Sequence, residues 1–530
     1  MAADSVLDII AQGAWNGGRL VDNSIYENKG LTFKGGIPVN NQTIEDRIGV
    51  RTRIVAPEDE RIGVLAFKDL LQTSDIDPAR IKLIIGATNI GEDKFDPGPL
   101  VRHSFELVKS DCPEAQVLDL YAGCPGFNVS VELVFIMSLA GMLQAGDLSI
   151  IVGAENVHRA NAFAPDDTAN IIFGDDAVAT VLETKSQISK ADGNDLPQKV
   201  TFSAGDDIAG CIAGELLKIK GSHKIDGIII DNQLGMLEHR VPALAARVQH
   251  RFVEQSYPEA AAAGTFNKFR NALAFYNQHV NAFAFDVMTV DRQPEHIARI
   301  ANAYTASGKY KVIASIFLGA DRDVVLRLHR GQGNFSRRPK WGIIDALTQS
   351  HGCFAHFIEV LPFTDRAKMF GHMNGKGVFL HATRGAKYHL ETLMAPNKLV
   401  MDDIDLLIEH QANFAMIPLT LEQVLDGSKA GAKHATTDVI ANKMVTNIHV
   451  RGNCSVVCMQ RLPYDLERGA LQPDTIQGYA VNQNLENLRQ AKTILYDSIG
   501  AGMTRSSFLQ RKKNRKGKPA RMIILYGEMD

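Results

Sequence analysis

Cysteine is scarce, with Cys112, Cys124, Cys211, Cys353, Cys454 and Cys458 the six in 530 residues, too few for disulfides to hold a chain this long together. Cys454 and Cys458 in "CSVVC" lack the spacing of a zinc knuckle, and no second Cys or His pair stands nearby, so no structural metal is expected. An excess of one charge is missing too. The balance of 57 Lys and Arg against 60 Asp and Glu leaves a net -3, which gives no bulk attraction to nucleic acid or anionic membranes. No uninterrupted apolar run reaches membrane-spanning length. The segment "MAADSVLDIIAQGAWNGG" lacks a basic stretch followed by a continuous apolar one. A cytoplasmic protein with no membrane span and no nucleic-acid partner is expected.

What is present is α/β grammar. "IKLIIGAT", "AQVLDLY", "LSIIVGAE" and "DAVATVLET" are short apolar runs that read as strands, and "RIGVLAFKDLLQTS" reads as a helix. The same grammar returns after about residue 345. "HMNGKGVFLHATRGAKYHLETLMA" is helical, "IDLLIEHQAN" is a strand entering a turn, and "AKTILYDSIGAGMTRSSFL" is a strand, a glycine turn and a returning strand. Two comparable halves, 1–205 and 346–530, therefore flank a middle. Residues 206–345 hold too many strand-like and helical runs for a loop and are expected to form an inserted α/β subdomain. The basic run "RKKNRKGK" reads as a solvated turn between strands.

In "DLYAGCPGFNVSVEL" the fixed φ of Pro125 suits a first helical position, so Cys124 is expected at the N-cap. "VSVELVFIMSLAGML" is apolar on nearly every face, which predicts an interior helix running toward Gly146. A sulfur at the amino end of such a helix lies near unsatisfied N–H groups in a partial positive field, and both favour thiolate. The competing reading is a buried cysteine that only packs. Cys112, also before a proline but followed by polar residues and a strand, reads as structural or exposed.

Thiol chemistry needs a proton acceptor or cationic neighbour, and acyl chemistry needs donors for a developing oxyanion. His410, directly after the apolar strand in "DLLIEHQANFAMI", and Asn453, after Gly452 in "NIHVRGNCSVVCM", supply candidates at strand ends. His449 ranks below His410. A structural, hydrogen-bonded role is the alternative for each.

Cys124 in "GCPGF", His410 and Asn413 in "EHQAN", Asn453 in "RGNCS" and the "GAGMT" turn follow the order and rough spacing of the thiolase superfamily. The chain most resembles β-ketoacyl-acyl-carrier-protein synthase III, and "FGDDAVATVLET", "EDRIGVRTRIVAPED" and "HMNGKGVF" extend the likeness. The resemblance implies a five-layered αβαβα sandwich of two similar halves, usually a homodimer. It implies Cys124 as the nucleophile accepting an acyl group from a thioester. His410 and Asn453 then bind the carbonyl of a malonyl-type thioester during decarboxylation. The backbone N–H groups of Cys124 and Ala501 are implied as oxyanion donors. No resident cofactor is implied. Coenzyme A or phosphopantetheine thioesters are the expected substrates, with an acyl carrier protein a possible partner.

Arg47 and Arg51 are candidates for phosphate contacts, with a surface salt bridge as the alternative for each, and Asn413 is a weaker substrate-binding candidate. The tryptophan that stacks on coenzyme A in many relatives falls near Thr43, and the arginine after the HQAN-type motif falls at Ala415. Two rival readings stay open. One is acyl transfer or a non-decarboxylating, hydroxymethylglutaryl-synthase-like condensation, whose extra glutamate base is matched in position neither by Glu132, on the buried helix, nor by Glu409, beside His410. The other is a non-catalytic partner-binding subunit on the same scaffold.

Overall fold

The computed structural model describes residues 4–90, 114–158, 168–186, 198–234, 241–335, 338–360, 371–426, 431–483, 486 and 490–513. Cys112 and most of the basic run "RKKNRKGK" lie outside the described residues.

The first stretch of chain supplies β1 (Leu7–Ala14), α1 (Ile62–Thr73), β2 (Ile81–Ala87), β3 (Gln116–Tyr121), α2 (Gly126–Leu139), β4 (Leu148–Glu155) and β5 (Asp176–Thr184). The middle supplies β6 (Gln198–Ser203), α3 (Ile208–Lys220), β7 (Gly227–Asn232), α4 (Leu244–Ser256), β8 (Phe283–Thr289), α5 (Pro294–Ala306), β9 (Val312–Leu318) and β10 (Asp323–Arg330). The last stretch supplies β11 (Gly342–Ser350), α6 (Gly375–Met394), β12 (Leu406–Glu409), α7 (Met416–Val424), α8 (Cys458–Glu467), β13 (Thr493–Gly500) and β14 (Thr504–Arg511).

Two sheets hold the molecule together. One has ten strands in the order β1-β5-β4-β2-β3-β8-β7-β9-β10-β6, and the other has four in the order β11-β14-β13-β12. A lone parallel bridge from Leu407 to Met444 continues the second sheet beyond β12. With that bridge, the first and last stretches share one strand order, third-second-fourth-fifth-first, so the two similar halves expected from the sequence are present. Helix α1 packs on the outer face of the first sheet, α2 and α8 lie between the sheets, and α6 and α7 cover the second. These are the five layers of an αβαβα sandwich. The middle segment is α/β as expected but with other bounds than 206–345, since Gln198–Ser203 pairs with its last strand and Gly342–Ser350 with the last stretch, and its strands continue the first sheet through the antiparallel β3–β8 ladder. Helices α3 and α4 pack on this extension over a cluster of their own.

Most strand boundaries match the apolar runs because both faces of each sheet are covered, and a strand buried on both faces reads as an unbroken run. Residues 448–451, expected as strand, form a helical turn. That turn follows the single Met444 bridge that stands for a full third strand in the second half.

Glu132, on the helix expected to be interior, is one of the few charged groups in that layer. Its carboxylate accepts hydrogen bonds from Tyr310 and from Thr348 Oγ1, the latter at 2.5 Å, and lies 3.5 Å from Lys309 Nζ. Lys309 also pairs with Asp345 at 2.9 Å. Burial opposes the Lys309 charge, but Asp345 and Glu132 outweigh it and hold its pKa above the ordinary lysine value. One cluster thus ties together residues from all three stretches of chain. Breaking a buried ion pair leaves an uncompensated charge, so Lys309→Met is expected to lower unfolding free energy by about 3 kcal/mol. Urea titration followed by circular dichroism checks this, and an unchanged midpoint would show that the cluster adds no stability.

Candidate active site

Cys124 sits one residue ahead of its expected capping position. Pro125 is the N-cap and α2 begins at Gly126, with Val129 N–H donating to the Pro125 carbonyl at 2.9 Å. The helix ends at Leu139, earlier than expected, where Gly141 takes a positive φ. All fourteen of its residues are buried, as expected, because sheets lie on both sides.

The turn carrying the thiol is pressed against the β13–β14 turn. A methyl group on Gly500 would lie 2.2 Å from the Cys124 nitrogen, and one on Gly123, whose φ is +73°, would lie 2.5 Å from the Ala501 nitrogen. Glycine at both positions is what lets the two backbones meet. Among the described residues the N–H of Cys124 meets only its own sulfur, and nothing accepts from the N–H of Ala501. Neither donor is tied into the surrounding backbone, an arrangement suited to an oxyanion.

His410 follows β12 and Asn453 follows Gly452, and the fold brings them together. His410 Nε2 lies 3.1 Å from Asn453 Oδ1. That oxygen also accepts from Ser455 N–H at 2.8 Å, which fixes the amide's orientation and places the imidazole proton on Nε2. No described residue accepts from Asn453 Nδ2. Burial pushes the His410 pKa down to about 4, against the raising effects of Asn453 and the Ile499 backbone. At neutral pH the ring is a neutral donor.

Cys124, His410, Asn453 and Ala501 all line one cavity of about 100 Å³, whose remaining wall is largely apolar, including Ile90, Val157, Phe173, Val241 and Val360. This apolar surrounding overrides the expected effect of the helix field on the thiol, although Cys124 keeps partial exposure. Burial pushes Cys124 up to about 12, with Glu155 and Cys458 adding to the rise and a hydrogen bond from Ser455 opposing it. The resting sulfur is a thiol.

Sequence reasoning missed a polar chain behind the sulfur. Ser455 Oγ–H donates to Cys124 Sγ at 3.4 Å, Asn89 Nδ2 donates to Ser455 Oγ at 3.0 Å, and Glu155 Oε1 accepts from Asn89 N–H at 2.6 Å. Burial raises the Glu155 pKa to about 8. The proximity of Ser455 to Asn453 in "GNCS" was the one available signal.

Other candidates lie elsewhere. Asn413 accepts from Ala415 N–H at 2.9 Å in the turn entering α7 and does not line the cavity. Arg47 lies over the Phe33 ring. Arg51 pairs with Glu45 and Asp474, each at 2.5 Å, so its charge is already matched. Thr43 closes a capping box with Asn40 at the start of the helix Asn41–Ile48, and Ala415 caps α7. His449 is buried 3.5 Å from Asp474, away from the cavity. Glu132 is occupied by the three-way cluster, and Glu409 is buried behind His410 beside Asp497, its pKa raised to about 8 by burial. Among the described residues no group of three or more His, Cys, Asp or Glu could hold a metal, and no helix is long and apolar enough to cross a membrane.

No protein-family model matches the chain. It is 29% identical over 151 residues to the β-ketoacyl-[acyl-carrier-protein] synthase III of Novosphingobium aromaticivorans, covering 28% of this chain and 44% of the relative. It is 29% identical over 171 residues to that of Brucella anthropi, covering 32% and 49%. The chain spans about half the length of the curated relatives it matches. Among solved structures, 3-oxoacyl-[acyl-carrier-protein] synthase III from Aquifex aeolicus aligns with TM-score 0.51 at 15% identity, over 95% of this chain and 99% of that one. The Pseudomonas aeruginosa enzyme aligns with TM-score 0.51 at 14% identity, over 96% and 99%. The thiolase-like fold and the likeness to these synthases agree with the motif reading.

Thiolate is the reactive form, so alkylation of Cys124 by iodoacetamide is expected to rise about tenfold per pH unit from pH 7 to 10. Ser455→Ala, which removes a donor to sulfur, is expected to slow it at every pH. Peptide mass spectrometry reads both, and a rate already level by pH 8 would contradict the buried-thiol description.

Proposed function

We propose that this chain is a condensing enzyme of the β-ketoacyl synthase III type. The observation that carries the reading is one largely apolar cavity lined by the Cys124 thiol of one half and by Ala501 and the His410–Asn453 pair of the other.

In the first step the Cys124 sulfur attacks an acyl thioester, of coenzyme A or of a phosphopantetheine arm on a carrier protein. A C–S bond to Cys124 forms, the bond to the departing sulfur breaks, and the thiol proton ends on the released thiol. No net charge is created, which suits a site where burial disfavours both thiolate and imidazolium. The Cys124 and Ala501 N–H groups stabilise the tetrahedral oxyanion. In the second step a malonyl-type thioester loses carbon dioxide. The electron pair of the broken C–C bond becomes an enolate whose oxygen is met by Asn453 Nδ2 and by His410 Nε2–H, which turns from Asn453 Oδ1 to the substrate. Its carbon attacks the acyl-cysteine carbonyl, a C–C bond forms, the acyl C–S bond to Cys124 breaks, and the departing sulfur takes a proton from solvent to restore the thiol. Donors that strengthen as charge develops lower the barrier more than they stabilise bound substrate.

A second reading is favoured by Glu359, which also lines the cavity and is half-buried. As a general base it would suit a non-decarboxylating condensation.

Intact-protein mass spectrometry with a panel of acyl thioesters is expected to show one acyl adduct that Cys124→Ser abolishes. A complete absence of adduct would favour a non-catalytic scaffold. His410→Ala is expected to cut malonyl decarboxylation by at least about 100-fold while self-acylation persists. Glu359→Gln is expected to leave condensation with a malonyl thioester intact, and its loss would instead support the second reading.

A further inference from the structure

The middle segment repeats the first half strand for strand. In chain order β6, β7, β8, β9 and β10 lie in space as β8-β7-β9-β10-β6, the same third-second-fourth-fifth-first order as β3-β2-β4-β5-β1, with the same parallel and antiparallel neighbours. Setting Ile85 of β2 on Ile229 of β7 carries the equivalence to the neighbouring strands. Ile85 pairs with Leu118 and Ile151, and Ile229 pairs with Phe285 and Ser315. This equates Leu118 with Phe285 and Asp119 with Asp286, setting "LDLY" on "FDVM". Thr180 faces Ile151 and Arg327 faces Ser315, which equates Asp176 with Asp323 at the head of each fifth strand.

Where the two units meet, equivalent residues face each other. Leu120 pairs with its counterpart Val287, while Tyr121 pairs with Asp286 and Asp119 with Met288. Reciprocal pairing of this kind is what a two-fold axis produces between identical subunits. Here one chain provides both sides, so the outer edge of β3 is occupied.

The repeat has lost the chemistry. After β8 the place of Cys124 falls at Asp291, whose carboxylate bonds His296 Nδ1 at 3.0 Å. Helix α5, the counterpart of the wholly buried α2, exposes Glu295, Arg299 and Asn302, as expected of a helix with no second sheet laid over it. Yet the repeat reaches the site. Val241, between its second and third strands, lines the cavity and packs with Val360 and Ala501, and its carbonyl accepts from Val360 N–H at 2.8 Å.

We infer that residues 198–335 are a nucleophile-free second copy of the amino-terminal half, held in place of a partner subunit, and that its Val241 limits the length of acyl group Cys124 accepts. The second clause rests on the acyl-thioester reading. Two probes separate the failures. In competition between a short and a long acyl-CoA, Val241→Ala is expected to raise the long-to-short ratio of Cys124 adducts about tenfold, and Val241→Phe to lower it similarly. N-alkylmaleimides of increasing chain length, which need no enzymatic activity, should show the same ordering in their rates at Cys124. Loss of fold would slow or expose all lengths alike and would not produce opposite ratios in the two variants. Wild-type ratios in both variants with maleimides would overturn the role of Val241. A shifted maleimide series with no acyl adduct from any thioester would preserve Val241 as the cavity limit and sink the acyl reading.

Discussion

The site depends on a backbone contact between two turns, one ending at Cys124 and the other running through Gly500 and Ala501. No side chain can stand between them, since a single methyl group at either glycine would fall within van der Waals radii of the opposite main chain. The contact brings a nucleophile and an oxyanion donor, more than 370 positions apart in the chain, onto one spot. The halves are fastened nearby by Arg461, whose buried guanidinium reaches Asp176 at 2.5 Å and the Trp15 carbonyl at 2.6 Å. Such a pair adds less to stability than to uniqueness of the docked arrangement, because desolvation offsets much of its attraction.

Burial acts on Cys124, His410 and the nearby Glu155 in the same sense, toward neutrality. Cys124 and Glu155 are raised and His410 is lowered, each chiefly by burial. Fixed dipoles then matter more than charges. Two N–H groups, an imidazole N–H and a carboxamide act at low dielectric as preorganised dipoles.

Much of the fold was legible because apolar runs buried on both faces have few alternatives to strand. The first-half strands, α2 and the turn after β13 were read from such runs. The Cys124, His410 and Asn453 set was legible through motif order and through strand-end positions. The N-cap was displaced by one residue because Pro125 can serve as cap as readily as first helical residue. The thiol's electrostatics were misjudged since a helix field is local while burial depends on the whole cavity. Ser455, Asn89 and Glu155 escaped notice because they meet only after the halves dock. The continuation of the first sheet through β8 was invisible for a similar reason: a run of apolar residues defines a strand, not its partner, here Tyr121 with Asp286 and Leu118 with Thr289, far along the chain.

The β3–β8 ladder also sets an order of assembly. As the chain leaves the ribosome, β3 has one bare edge until residues 283–289 have emerged and docked, and the thiol's turn waits for residue 500. Pairings this distant in sequence form slowly, because loop-closure entropy is spent before contacts compensate it. During that interval the unpaired strand is a template for other chains. The bare edge of β3 is therefore the place where pairing with another chain competes with folding until β8 arrives.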